Sequence, residues 1–253
     1  ESRGNIHFEY IDDYMNNRLD SLSKFYENKY NTHEFNVSLR TIREKYQYNI
    51  GFSVQPQQST TSYEQGTIKV DTTRNVVNFS PTFDYRYRFN KQSMLRINYR
   101  GRTSQPSMTD LLPITDTSDP LNISKGNPSL KPSYTNSFML FYNTFLPEKQ
   151  QSMMARLTFS NTINSVSNTV TYDEETGARI TQPKNINGNW SASGGFVFNT
   201  PLKNKKFTVS TFSDGSYNNM VGFTSLSGQT DSQKNTTRSL NLSERLNGTF
   251  RND

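Results

Sequence analysis

Thiol chemistry is closed to this 253-residue chain, which has no Cys, and imidazole chemistry nearly so, since His7 and His33 are its only histidines. Thiolate nucleophiles, disulfide frameworks, thiolate metal sites and most zinc or imidazole-based acid–base sites therefore lack their raw material. Two kinds of charged cluster remain. Asp116 and Asp119, and then Asp173, Glu174 and Glu175 ahead of Gly177, are oxygen-rich segments of the sort that can hold calcium, but their spacing matches no EF-hand and solvated turns explain them. The second cluster is basic: Arg86, Arg88, Arg96, Arg100 and Arg102, with Asp84 beside them. No enzymatic reaction and no cofactor is expected from these residues.

Alternation positions the arginines. From Met94 to Arg102 a period-two pattern sets Leu95, Ile97 and Tyr99 on one side and Arg96, Asn98, Arg100 and Arg102 on the other, which predicts a strand with an apolar and a wet face. The same pattern at 45–55 sets Tyr46, Tyr48, Ile50, Phe52 and Val54 opposite polar residues, and at 77–89 sets Phe83, Tyr85 and Tyr87 opposite Asp84, Arg86 and Arg88. Weaker versions at 34–42, 134–146, 152–164, 189–199, 206–212 and 237–246 bring the expected count to nine strands. The segment 15–27, with Leu19, Leu22, Phe25 and Tyr26 at helical spacing, is expected as a short loop helix.

The net charge of +6 raises nucleic acid as a partner, because rings and basic groups together can stack bases and hold phosphates. Here the rings and the arginines look to opposite faces of the same strands, so one ligand could not touch both. Composition points elsewhere. Only 31% of the chain is hydrophobic, against about 45–50% in ordinary soluble domains, yet 14 Tyr, 17 Phe and one Trp are too many rings for a disordered segment. No run reaches the roughly 18 apolar residues of a membrane helix, whereas strands of a membrane barrel need apolar residues only at every second position.

Loop lengths sharpen the choice. The expected connections run about 3, 20, 4, 30, 5, 24, 6 and 24 residues, so short and long alternate without exception. Antiparallel neighbours put every second loop at the same end, which is the short-turn, long-loop asymmetry of outer-membrane barrels. Tyr46, Tyr48, Tyr85, Tyr87, Phe89, Tyr142, Phe145, Phe196, Phe198 and Phe207 gather near the short turns, as an interfacial girdle would. On this reading Tyr46, Tyr48, Phe52, Phe83, Tyr85, Tyr87, Leu95, Ile97 and Tyr99 face lipid, and Arg86, Arg88, Arg96, Arg100 and Arg102 face the lumen. The alternative is a soluble secreted β-sandwich, a binding or adhesion module whose rings form a core between two sheets.

The longest loop contains Gly126-Asn127-Pro128-Ser129-Leu130-Lys131-Pro132-Ser133-Tyr134, which resembles the GNPxLKPxY signature of the β-barrels of TonB-dependent outer-membrane receptors, especially the Bacteroidetes type. The stretch from Tyr99 to Leu111 is similar to the strand exit and loop that precede this signature. Physically, Pro128 and Pro132 fix φ, Gly126 permits positive φ and Asn127 favours a turn, so the loop should re-enter the sheet rigidly before the strand at 134.

The resemblance implies an all-β antiparallel up-and-down meander of about nine strands, a fragment of a larger transmembrane β-barrel in the bacterial outer membrane. Residues 1–253 would form a partial barrel domain without the plug domain and C-terminal strands of a receptor with roughly 22 strands. Implied partners are outer-membrane lipid, the plug domain of the same receptor, indirectly the TonB complex, and an unknown bulky nutrient; nucleic acid is not among them. A four-residue turn at 90–93 would set Arg86 directly opposite Arg96, a like-charge pair that costs some tenths of a kcal/mol unless a counter-charge intervenes. A plug carboxylate or an anionic substrate is the expected source. Without one, replacing Arg96 with Glu should stabilise the sheet.

Overall fold

A computed structural model describes residues 2–5, 8–11, 14–18, 23–202, 206–225 and 232–250. Its elements run β1 (Ser2–Asn5), β2 (Phe8–Ile11), β3 (Tyr14–Arg18), β4 (Lys24–Thr32), β5 (Phe35–Ile42), β6 (Tyr46–Gln65), β7 (Ile68–Arg88), β8 (Ser93–Ser104), α1 (Met108–Leu111), β9 (Thr115–Asp116), β10 (Asn122–Lys125), β11 (Ser133–Leu146), β12 (Gln151–Ile163), β13 (Ser165–Tyr172), β14 (Arg179–Ile186), β15 (Asn189–Pro201), β16 (Phe207–Thr224) and β17 (Gln233–Phe250). No helix among the described residues is long and apolar enough to cross a membrane, which says nothing against crossing by strands.

One large sheet dominates, ordered β1-β4-β6-β7-β8-β11-β12-β15-β16-β17, with β5 also paired to β6. Thr32 pairs with Gln57 and Phe35 with Val54, so β4 and β5 lie end to end along β6 as one strand interrupted at His33 and Glu34. Counting these two as one track, ten antiparallel tracks follow one another in chain order, and the nine after β1 each hold one of the nine stretches where alternation predicts a strand. The path is open: its two ends, β1 and β17, are not paired with each other.

Strand lengths depart from expectation in a consistent way. The supposed 20-residue loop after residue 55 is strand: β6 and β7 keep their ladder to Gln65 and Ile68 and close with a tight turn at Gly66, whose φ of 57° suits glycine. Likewise β16 and β17 extend to Thr224 and Gln233 through what the alternation leaves as a 213–236 loop. The Gln, Ser, Thr and Asn of these extensions make ladder bonds as well as Val does but carry no apolar signal. The helix expected at 15–27 is absent: β3 holds Tyr14–Arg18 and β4 begins at Lys24, with Phe25 and Tyr26 opposite Glu64 and Tyr63. Leu19 and Leu22 lie outside the described residues.

The register sorts side chains into two faces. One row of directly opposed residues reads Ile50, Phe83, Tyr99, Phe138, Phe159, Ala192, Tyr217, Leu240; the next toward the short turns reads Tyr48, Tyr85, Ile97, Leu140, Leu157, Gly194, Gly215, Leu242. On the other face a row runs Arg40, Asn49, Asp84, Asn98, Met139, Thr158, Ser193, Ser216, Asn241. Phe145 falls on the polar face by this parity, not among the girdle rings.

The ring face is uncovered. Ile50 is 49% exposed, Phe138 47%, Leu157 57% and Leu242 76%. Tyr48, Phe83, Tyr85 and Tyr99 are half-buried only by their neighbours on the same sheet. A sandwich needs a second layer over these rings, so the sandwich alternative fails. The buried apolar cluster sits instead among the loops, where Met108, Leu111 and Leu130 pack together.

Candidate functional site

Three features of the sheet could do work: the ring face, a cleft on the polar face, and the loops at the end away from the short turns. On the ring face Phe138, Leu140, Tyr142 and Leu146 recur along the nine residues from Phe138 to Leu146 of β11, within the roughly 9–11 that a tilted strand needs to cross a bilayer. The residues near the short turns include the stacked pairs Tyr46–Tyr48, Phe83–Tyr85 and Phe196–Phe198. A second tier, which the sequence reading missed, crosses five strands as Tyr99, Phe138, Phe159, Trp190 and Tyr217, with successive centroids 4.7, 6.4, 6.1 and 5.0 Å apart. Its members come from strands far apart in sequence, so only the register reveals it. Phe52 lies one row above this tier, stacked on Phe79.

On the polar face Arg86 stands opposite Arg96, as the turn length predicts. The counter-charge is internal. Asp84 accepts from Arg96 Nε at 2.8 Å and from a terminal guanidinium nitrogen at 2.6 Å, and Asn98 adds a bond at 3.3 Å. Arg96→Glu would therefore set two carboxylates side by side, and the condition for its stabilising the sheet, an arginine pair without a counter-charge, is not met. Around this pair lies a cleft of about 520 Å³ lined by Arg40, Arg86, Arg96 and Arg100. Arg40, from β5, is an addition the sequence reading lacked. Arg88 and Arg102 lie outside the lining, opposite Met94 and Thr135. Arg86 Nε is buried with no hydrogen-bond partner.

The signature loop works as a clamp between two long loops. The loop after β8 carries α1, β9 and β10, and the loop after β12 is the β13–β14 hairpin; together they form a four-stranded sheet ordered β13-β14-β10-β9. Asn185 holds Lys131 by both backbone groups, donating to its carbonyl at 2.9 Å and accepting from its N–H at 2.7 Å. Asn127 donates to the Pro183 carbonyl at 2.9 Å, and Gln182 donates to the Gly126 carbonyl at 3.1 Å. Pro128 and Pro132 flank Leu130, which is 2% exposed.

Gly126 is required for a reason other than the one expected. Its φ is not positive; instead a Cβ there would lie 1.9 Å from the Leu112 carbonyl oxygen. Tyr134, the last signature residue, lays its hydroxyl over Gly101, where a Cβ would meet it at 2.0 Å.

The loops fold over the polar face, not away from it. Gln105 donates to Asn78 at 2.6 Å and an Arg74 guanidinium nitrogen to the Leu130 carbonyl at 3.4 Å; Asn78 and Arg74 share the polar face of β7 with Arg86. Lys24 and Asp116 form an ion pair at 2.5 Å. Burial acts to raise the Asp116 pKa, but hydrogen bonds from Lys24 and Ser118 and the Lys24 charge prevail and hold it below the ordinary carboxylate value. Asp173 is likewise lowered, first by the Thr176 backbone N–H and then by its hydroxyl; the carboxylate closes the β13–β14 turn. Among the described residues no group of three or more His, Cys, Asp or Glu could hold a metal ion.

A family model described as "Outer membrane protein beta-barrel family" matches residues 2–253. No curated protein sequence matches. Among solved structures, the siderophore receptor PirA from Pseudomonas aeruginosa aligns at TM-score 0.49 and 12% identity, over 91% of this chain and 51% of that one. The outer membrane transporter YddB from Escherichia coli aligns at 0.45 and 12%, over 78% and 34%. PirA from Acinetobacter baumannii aligns at 0.43 and 8%, over 98% and 52%. The chain thus spans between a third and about half of those proteins.

Proposed function

The chain belongs to the outer membrane protein beta-barrel family and lies in the bacterial outer membrane, and from that premise we propose that it forms part of the barrel wall of a TonB-dependent receptor that imports a bulky nutrient. The ring face meets lipid, with Tyr46, Tyr48, Phe52, Phe83, Tyr85, Tyr87, Leu95, Ile97 and Tyr99 among its members. The polar face, with Arg86, Arg88, Arg96, Arg100 and Arg102, lines the lumen beside the receptor's plug domain. Work would enter through the plug from the inner-membrane TonB complex, and the role of this chain is that of a wall and a gate rim, not of a catalyst.

The observation that carries this reading is the continuous uncovered ring face opposite a continuous polar face on one antiparallel sheet. In lipid that arrangement satisfies the ladder bonds of the interior strands within the sheet and presents apolar area to the acyl chains.

The test uses the full-length receptor in lipid vesicles with a fluorophore at Leu140→Cys or Ser137→Cys. A lipid-borne quencher should darken the first and an aqueous quencher the second; the reverse pattern overturns the orientation. Uptake that persists in cells lacking TonB would overturn the energy source alone.

A further inference from the structure

The arginine cleft has more positive charge than it uses. Its single carboxylate, Asp84, is taken by Arg96 through two guanidinium nitrogens. Arg40, Arg86 and Arg100 line the same space, and Arg86 is held against Arg96 with its Nε buried and unpartnered. Two opposed like charges are a cost, and an oxyanion in the cleft relieves it. Guanidinium forks match the paired oxygens of carboxylates and phosphates. Asn49, Asn98 and Gln47 add neutral amides around the rim, and a cavity of about 520 Å³ has room for a small polyanion.

We infer that this cleft is a binding site for an oxyanion, a carboxylate or phosphate group on a solute within the lumen. The inference rests on the polar face being the lumen wall. Asp84 sets its selectivity by occupying Arg96, so that an arriving anion meets Arg40, Arg86 and Arg100 and a ligand without an oxyanion gains nothing from them.

The probes are citrate and inorganic phosphate, titrated calorimetrically into the full-length receptor in detergent at low salt. Citrate should bind in a salt-sensitive manner, and Arg86→Gln and Arg100→Gln should each weaken it about tenfold, as loss of a charge-assisted hydrogen bond does. Arg245→Gln, at an arginine on β17 outside the cleft, should leave it unchanged. If Arg86→Gln fails to fold, the exposed Arg100 still decides the matter.

No binding by the wild type overturns the site, and so does equal weakening by Arg245→Gln, which would mean only a general field. Binding seen after plug deletion but not before gives the counter-charge to a plug carboxylate and overturns the solute assignment. The fluorophores at residues 137 and 140 report the lumen reading separately, so citrate binding with reversed quenching would keep the site and discard the lumen.

Discussion

Lys24 and Asp116 are 92 positions apart in sequence and 2.5 Å apart in space, joining β4 to the loop that follows β8. Because the folded Asp116 pKa is depressed, its contribution is present above the unfolded pKa and is lost as pH falls through the folded value. Hydrogen-exchange protection across 113–125, taken relative to the intrinsic rate at each pH, should fall on acidification, and Lys24→Met should remove most of that pH dependence. The pair is partly exposed, so its worth is about 1 kcal/mol or less. A flat exchange profile across the carboxylate range would contradict it.

Asn185 is the centre of the clamp. Asn185→Ala leaves the Lys131 N–H and carbonyl without their partners and should loosen 126–131 and 179–186 together, by about 1–3 kcal/mol in local opening free energy. The main-sheet melt should hardly move. Protection that falls in only one of the two segments would show that the loops are not coupled there.

Gly126→Ala tests close approach apart from hydrogen bonding. The obstructing atom is backbone, the Leu112 carbonyl oxygen at 1.9 Å, so the turn after α1 must shift. Limited proteolysis should then cut within 105–130 several times faster than in the wild type. Gly177→Ala is the contrast: space is open there and only the positive φ resists, at a cost of about 1 kcal/mol.

Position 140 separates the faces energetically. Leu140→Arg places a charge in the middle of the ring face and should cost about 2–4 kcal/mol of unfolding free energy in vesicles, while Ser137→Arg on the opposite face should cost under about 1 kcal/mol. Equal penalties from urea titration would mean that both faces see the same medium.

Alternation made the sheet legible wherever one face is apolar. Ile97 beside Arg96 announces a strand, and the short turn at 90–93 sets the Arg86–Arg96 register that the coordinates contain. The outer halves of β6 and β7 were illegible because residues 57–62 and 71–75 are polar on both faces, and polarity on both faces reads as loop. At Phe25 and Tyr26 ladder pairing with β6 overrode a weak helical spacing. Within the cleft, three of the lining arginines could be listed from the sequence, but Asp84 as their internal counter-ion and Arg40 as their neighbour depend on diagonal contacts across three strands. The clamp is visible in sequence only as a signature; its partners Gln182 and Asn185 sit some 50 residues on, with no local mark.

The hairpin of β6 and β7 reaches farther than any other part of the sheet with so small a cap. From Val54 to Gln65 it carries roughly 35 Å of strand beyond the stacked pair Phe52 and Phe79 and ends in Gly66 and Thr67. Because β4 flanks β6 to Gln65 and Ser59, Thr61 and Tyr63 are buried there, only the Gly66–Thr67 turn is free of packing, and a short epitope grafted at that turn would be displayed without touching any residue that the lipid, the cleft or the clamp depends on.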